Sequence, residues 1–347
     1  MTTRLPEEPS DHTVTPRQWL GTLCVAAVVL ITVNLACKGL TKAYPVNTGF
    51  TLIDTKWRLL RTLDQPVDWL VLGDSSGDQG VDPRLIQDIA GERSVNLCTI
   101  GNCLLVDDAW MLDEYLQRFP PPKRVVLIHV YDVWNRERIP TSLLAAFPMK
   151  HGFWSKRTPS FTLTPKQQAS VFARRAAPMA FQNTSITAFL LGRWTRPPAT
   201  PHTTRGDGFS PRTNQSDKRV ISDVASHRYR LKSKTFKMSS LNEAALQRLL
   251  ETTQRAGIEL VIANSPISKL LAEEASYQAF RQEMDTWFTA TLAPYPHARH
   301  LYFDEPMAFE THLMRNADHT TLAAAQTYTR ALVDDGRETR APGHQTP

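Results

Sequence analysis

A chain of 347 residues with 41% hydrophobic content has enough apolar surface to bury for one large domain or two small ones, which excludes a disordered polymer. Forty Lys and Arg against 34 Asp and Glu leave a net charge of +6. Neither a basic helix nor an aromatic-basic ladder accompanies that mild excess, so nucleic acid is not an expected partner.

Residues 1–18 read as a polar tail. From Trp19 to Cys37 the chain runs "WLGTLCVAAVVLITVNLAC", uncharged and with Asn34 as its strongly polar residue. That length covers a hydrocarbon core and predicts a single transmembrane helix; a cleaved signal peptide and a buried helix are the competing readings. The apolar run exceeds an ordinary signal h-region, and "NLAC" is a poor lipobox because Asn34 stands where an aliphatic residue belongs. Arg4 and Arg17 on one flank compete with Lys38 and Lys42 on the other, so charge does not settle the orientation. Residues 38–55 read as a linker.

Strand and helix signals then alternate. "DWLVLG" (68–73) is a short buried strand, and Asp82 with Pro83 supplies an N-cap and first position for a helix placing Leu85, Ile86 and Ile89 on one face. "SVNLCTI" (94–100) is a second strand, followed by an amphipathic helix at 107–119 that stops before three prolines. "RVVLIHV" (124–130) is a third strand. This rhythm predicts a parallel sheet covered on both faces. It breaks over about 136–237, a basic insertion rich in Pro, Ser and Thr, expected to hold a mobile loop (193–219) and two helices near 167–177 and 184–192. Its charge reads as a solvated surface or as a face toward an anionic membrane or glycan. The alternation resumes with a helix at 240–256, the strand "IELVIAN" (258–264), a long helix at 268–291, a weaker strand at 300–304 and a last helix from near His319. The tail from Asp334 reads as polar and frayed, with 336–347 as a disordered tail.

Cysteine usage is quiet. Cys24 and Cys37 fall in the apolar segment; Cys98 and Cys103 are expected as reduced buried thiols, with a disulfide as the alternative outside the cytoplasm. No metal-ligand spacing appears among Cys and His, and nothing calls for a cofactor.

The chemistry-bearing stretch is "VLGDSSGDQG" at 71–80. Gly-Asp-Ser also carries the nucleophile of trypsin-like proteases, but those folds are all-β and place histidine and aspartate before the serine. Ser75 instead follows an apolar strand and precedes a helix, at the carboxyl edge where open α/β sheets place their sites. A hydroxyl there needs an imidazole to take its proton, and His319 at the start of the last helix can reach the same edge only through the fold.

"LGDSSGDQGVDP", "VNLCTIGN" and "NADHTTLAAAQTYTRAL", in that order, resemble the first, second and last blocks of the SGNH hydrolases, also called the GDSL esterase and lipase family. The likeness covers roughly residues 55–135 and 238–333, and it is nearest to the membrane-anchored branch of that family. It implies a three-layer, flavodoxin-like α/β domain with a five-stranded parallel sheet, here residues 56–335. Ser75 would be the nucleophile, His319 the base, and Ser75 and Gly101 the oxyanion donors. It further implies a periplasmic or extracellular soluble domain acting on O-acyl groups of a cell-envelope glycan, with an acylated glycan or acyl donor as substrate and an envelope acyltransferase as candidate partner. A degenerate glycan-binding or assembly module is the alternative.

Two positions depart from that family's pattern. Its acid, three residues before the histidine, is Asn316 here, an amide that can hold the imidazole tautomer without stabilising the imidazolium charge, and Asp318 substitutes only if the turn curls back. Glu310 is a further candidate for the acid, and His312 and Asp304 are other polar residues near the same rim. The side-chain oxyanion donor is also missing, since Tyr131 stands in its place, leaving Asn102 or Asn135 to reach that point. Ser76 reads as a helix-side hydroxyl.

Overall fold

The computed structural model of the chain describes residues 15–43, 48–149, 161–181, 191, 204–232, 235–301 and 307–338. The chain divides into two compact units. One comprises residues up to Val46 with Arg174–Ala199, and the other Asn47–Ala173 with Thr200 onward.

In the first unit, helix α1 (Pro16–Ala43) contains a segment, Pro16–Leu40, of mean hydropathy 2.3, long and apolar enough to cross a membrane. Leu20, Val28 and Leu35 lie exposed along it. Asn34, the polar interruption, donates to the Ala176 carbonyl and accepts from the Met179 amide at 3.2 Å, which satisfies it locally.

The second unit is an α/β domain around a five-stranded sheet. Its strands are β1 (Trp69–Gly73), β2 (Ser94–Asn96), β3 (Arg124–His129), β4 (Glu259–Asn264) and β5 (Ala298–Leu301), all parallel, in the order 2-1-3-4-5. Every residue of β1 and β3 is buried, as expected for a parallel strand with helices over both faces. Gly73 registers with Ile128 and His129 with Asn264, so β1, β3 and β4 end at one edge.

The stretch expected as linker, 38–55, is entered by α1 from one side and holds the start of helix α2 (Thr48–Thr62) on the other. Ile53, Trp57 and Leu60, at helical spacing, are fully buried, and the Trp57 indole donates to Asp107 at 2.8 Å. Helix α3 (Ser75–Gly80) follows β1 directly. Helix α4 (Pro83–Ala90) starts as predicted, with the Asp82 carboxylate accepting from the Arg84 amide at 3.0 Å. Helix α5 (Leu104–Leu116) begins three residues earlier than its periodicity suggests.

The basic insertion is more ordered than its composition predicts. A helix spans Pro165–Ala176, close to expectation; the helix expected at 184–192 lies outside the described residues apart from Leu191. Residues 204–216 are not a free loop. Arg205 pairs with Asp82 and Asp207, and the Ser210 amide donates to the Asp78 carbonyl at 3.1 Å. Helix α6 (Asp217–Leu231) was not expected at all, yet Val220, Val224, His227 and Leu231 form a buried stripe along it.

Helix α7 (Ser240–Ala256) packs on α5. The long helix expected at 268–291 is two pieces, Lys269–Ala272 and α8 (Ala275–Leu292). Strand β5 replaces the strand expected at 300–304, and Asp304 lies outside the described residues. Helix α9 (Leu322–Glu338) packs on α3 and α4 and continues past Asp334, where fraying was expected. It begins three residues after His319, leaving that imidazole in a turn.

Candidate active site

Ser75 is placed by the two residues before it. Gly73 has φ +137°, and a Cβ there would lie 1.8 Å from the Ile128 carbonyl oxygen, so only glycine lets β1 and β3 close at this point. Asp74 then turns the chain. Its carboxylate accepts from the Ser76 amide at 2.9 Å, the Ser76 hydroxyl at 2.6 Å and the Val130 amide at 2.8 Å, capping α3 and tying the end of β1 to the end of β3. Burial opposes ionisation of Asp74, but its contacts with His129, Ser76 and Val130 outweigh burial and hold its carboxyl below the usual range. Ser76 is therefore a helix-side hydroxyl, as the sequence suggested, donating to the Asp74 cap. From Trp69 to Pro83 every residue is buried except Ser75.

The histidine arrives from the far end of the chain. Residues 314–320 form a tight return closed by the Met314–Thr320 bridge and by the Arg315 amide donating to the His319 carbonyl at 2.8 Å. Three further bonds fasten this return. Thr320 Oγ1 donates to the Gln79 carbonyl at 2.9 Å, the Ser268 amide to the Ala317 carbonyl at 2.8 Å, and the Ala317 amide to Asp223 Oδ2 at 3.0 Å. His319 Nε2 consequently lies 2.8 Å from Ser75 Oγ.

The other imidazole nitrogen faces two side-chain oxygens. Asp318 Oδ1 is 2.6 Å from His319 Nδ1, and Asn316 Oδ1 is 3.0 Å from the same nitrogen. The turn does curl back, and Asn316 joins the aspartate instead of replacing it. The Asp318 amide donates to Asn316 Oδ1 at 3.3 Å, which keeps the amide oxygen toward the ring. With oxygen acceptors at Nδ1, the ring proton sits there and Nε2 presents its lone pair to the serine hydroxyl. Burial would raise the Asp318 pKa, but the adjacent His319, with His227 and Arg230 beyond, drives it well below the carboxylate range. Burial would likewise lower His319, yet the Asp318 charge and hydrogen bond leave it raised.

Behind Asp318 stands a buried pair from other elements. His227 Nε2 is 3.9 Å from Asp318 Oδ2 and 3.7 Å from Asp223 Oδ2, while its Nδ1 is 2.6 Å from the Tyr131 hydroxyl. Tyr131, where an oxyanion side chain was sought, is thus turned to His227. Burial pushes the Tyr131 phenol up and the His227 imidazole down, which favours the neutral form of both. Asp223, His227 and Asp318 also offer ligand atoms within 4.8 Å of one another, geometrically enough for a metal ion. Asp318 already serves His319 and Asp223 already accepts the Ala317 amide, so binding an ion would compete with the turn that positions the imidazole.

Of the expected oxyanion donors, Ser75 borders a cavity of about 230 Å³ together with His319, Asn316, Ile100, Arg219 and Arg315. Gly101 opens the 3₁₀ turn after Ile100; a methyl on it would come within 2.9 Å of Val133 Cγ2 and Arg136 Nη1. Asn102 is exposed, its Oδ1 accepting from Arg136 at 2.9 Å, and Asn135 is bonded to Thr235 and Lys237; neither borders the cavity. Glu310 pairs with Lys269 at 2.8 Å and His312 is exposed in a 3₁₀ turn, so neither meets His319. All four cysteines are free; burial raises the Cys98 and Cys103 thiols far above their usual range. A larger hollow of about 660 Å³ along α8 is bordered by Arg281, Asp285, Thr286 and Thr289 but by no histidine, serine or cysteine.

Sequence reasoning missed that Asn316 and Asp318 share one imidazole nitrogen, the Tyr131–His227 pair and the arginines of the cavity. The apolar stripe of α6 at 220, 224, 227 and 231 was the signal that could have placed His227 indoors. No protein-family model matches the chain, and no curated protein matches it either.

Proposed function

We propose that this chain is a membrane-anchored serine esterase or O-acyltransferase of the SGNH type, acting on O-acyl groups of cell-envelope glycans. One observation carries the reading: Ser75 Oγ, His319 Nε2 and Asp318 Oδ1 follow one another at 2.8 Å and 2.6 Å across the ring, at the carboxyl edge of a parallel sheet. The 2-1-3-4-5 strand order is that of flavodoxin-like doubly wound domains, which supports a three-layer SGNH architecture. The apolar helix supports an anchor. By the family resemblance alone, the second unit would lie on the periplasmic or outer side, where acylated envelope glycans and an acyltransferase partner would be met.

The chemistry needs no cofactor. His319 Nε2 takes the hydroxyl proton as Ser75 Oγ bonds to the acyl carbonyl carbon. Collapse of the tetrahedral species expels the sugar oxygen, which leaves with that proton. Water or a second sugar hydroxyl then attacks the acyl-serine, its proton passing to His319, and Ser75 is released. Asp318 keeps the ring in the productive tautomer and stabilises the imidazolium. The amides of Ser75 and Gly101 are the proposed oxyanion donors, each worth about 2.7 to 4 kcal/mol of barrier in such sites.

A fluorophosphonate probe applied to the full chain in detergent tests this. Wild type should label at Ser75, Ser75→Ala should not label, and His319→Ala should label about 10²- to 10⁴-fold more slowly. A folded wild type that resists labelling, yet binds glycan saturably, would instead make the domain a degenerate glycan-binding module.

A further inference from the structure

The walls of the cavity carry more positive charge than ester hydrolysis requires. Arg219 and Arg315 border it beside Ser75 and His319. Arg219 and Asn316 also border an adjoining hollow of about 400 Å³, to which α6 adds Lys218. The guanidiniums are not spent on acids. Arg315 donates to the neutral side chains of Asn214, at 2.9 Å, and Gln79. Arg212 has Nε and Nη2 buried without a hydrogen-bond partner, and none of the three forms a salt bridge among the described residues.

The acid on the cavity wall is already paired. Asp78, on the cavity wall, pairs with Lys56 at 2.7 Å, and both side chains are fully buried. Asp223, in the adjoining hollow, is tied to the Ala317 amide and faces His227. The arginines therefore feel one another. Burial, then the charges of Arg212 and Arg219, push Arg315 down to about 10. Guanidiniums held together without a counterion form a standing site for a planar or tetrahedral oxyanion group, which they can grip through paired N–H donors.

We infer that Arg219 and Arg315, backed by Arg212, bind an anionic substituent, a carboxylate or phosphate, on the sugar whose ester Ser75 cleaves. The charge belongs to the sugar and not to the acyl group because Arg219 bridges from the cavity of Ser75 into the neighbouring hollow, away from the reacting carbonyl. The inference rests on the esterase reading for what the anion accompanies, but anion binding is measurable without turnover.

Calorimetry on full-length Ser75→Ala in detergent, titrated with tetragalacturonate, maltotetraose and inorganic phosphate, is the first arm. Tetragalacturonate should bind, maltotetraose should not, and Arg219→Gln should weaken the former about ten- to a hundredfold, with partial recovery in Arg219→Lys. Arg219 is exposed, so its replacement tests binding without threatening the fold. Phosphate competing with tetragalacturonate in an Arg219-dependent way supports the site, and equal affinity for the charged and neutral tetrasaccharides overturns it. The second arm compares wild-type turnover of O-acetylated oligogalacturonate, 4-nitrophenyl acetate and 4-nitrophenyl hemisuccinate. A preference for acetylated oligogalacturonate that Arg219→Gln removes is the expected result; an Arg219-dependent preference for hemisuccinate would assign the charge to the acyl group and overturn the proposal. Arg219-dependent binding in a wild type whose Ser75 never labels would leave the anion site standing and remove the esterase reading. Labelling of Ser75 without charge-dependent binding would do the reverse.

Discussion

Two histidines of this domain, His319 and His129, each face a carboxylate at hydrogen-bond distance, and they differ in what the second nitrogen sees. His319 has Asp318 at 2.6 Å on Nδ1 and the Ser75 hydroxyl at 2.8 Å on Nε2, at the border of a cavity. His129 has Asp108 at 2.7 Å on Nε2 and a second carboxylate, Asp74, at 3.7 Å from Nδ1, with its side chain 1% exposed. Under the proposed function, the first ring hands a proton to a substrate. The other is a counterion: burial alone would lower its pKa, but Asp108 and Asp74 raise it to about 9, so it stays charged at neutral pH. That charge neutralises Asp74, the residue that caps α3 and holds the Ser75 turn. A histidine-aspartate pair is thus a proton-transfer device only where the free nitrogen meets a hydroxyl that solvent can reach.

The largest effect that can break this comparison is expected from Asp318→Asn. Loss of the orienting charge should slow labelling of Ser75 by roughly 10⁴-fold, as when the acid of such a triad is made an amide. Because Asp318 raises the His319 pKa, and Ser75 requires neutral imidazole, wild-type labelling should rise with pH above the ordinary histidine range. In the variant that limb should move to lower pH. A pH profile of the labelling rate checks both, and an unmoved limb would remove Asp318 from the role.

His129→Ala should act on stability instead. It leaves Asp74 and Asp108 buried without their cation, at a cost of about 3 to 5 kcal/mol in chemical denaturation. The milder His129→Gln isolates the charge. Folding raises the pKa of His129 from 6.5 to about 9, so its stabilisation is complete below 6.5 and fades as pH rises through about 9. Wild type should lose thermal stability across that window, and the variant should lose less.

The smallest effects sharpen the picture around Asp318. Asn316→Ala removes the longer of the two bonds to Nδ1 and should slow labelling by about tenfold or less. Tyr131→Phe strips the bond to His227 and should cost about 0.5 to 1.5 kcal/mol of stability while labelling persists. Equal losses of labelling in Tyr131→Phe and Asp318→Asn would mean that the proton array extends to the phenol.

Much of the α/β frame was legible because a parallel strand buried on both faces must be a short apolar run, and 69–73, 124–129 and 259–264 are such runs. The Asp82–Pro83 start of α4 was legible because capping is local. Helices α2 and α6 were not. Lys56 sits on the buried face of α2, and its charge disguises an apolar stripe; α6 lies in a segment whose average polarity hides four buried residues. In both, tertiary partners outweigh local composition: Lys56 is buried because Asp78 and the carbonyls of Asn96 and Gly208 receive it.

Sequence by itself determined the order of the sheet strands along the chain, the apolar N-terminal helix and the serine and histidine worth testing, because strand burial, membrane length and the Gly-Asp-Ser turn are written in adjacent residues. Tertiary structure alone decided that Asp318 and Asn316 share one imidazole nitrogen, that Tyr131 turns to His227, and that Arg219 and Arg315 meet beside Ser75. Those contacts join residues as far apart as 75 and 319, and side-chain direction at such junctions is set by how the 314–320 turn is fastened to α3 and α6, which no local pattern encodes.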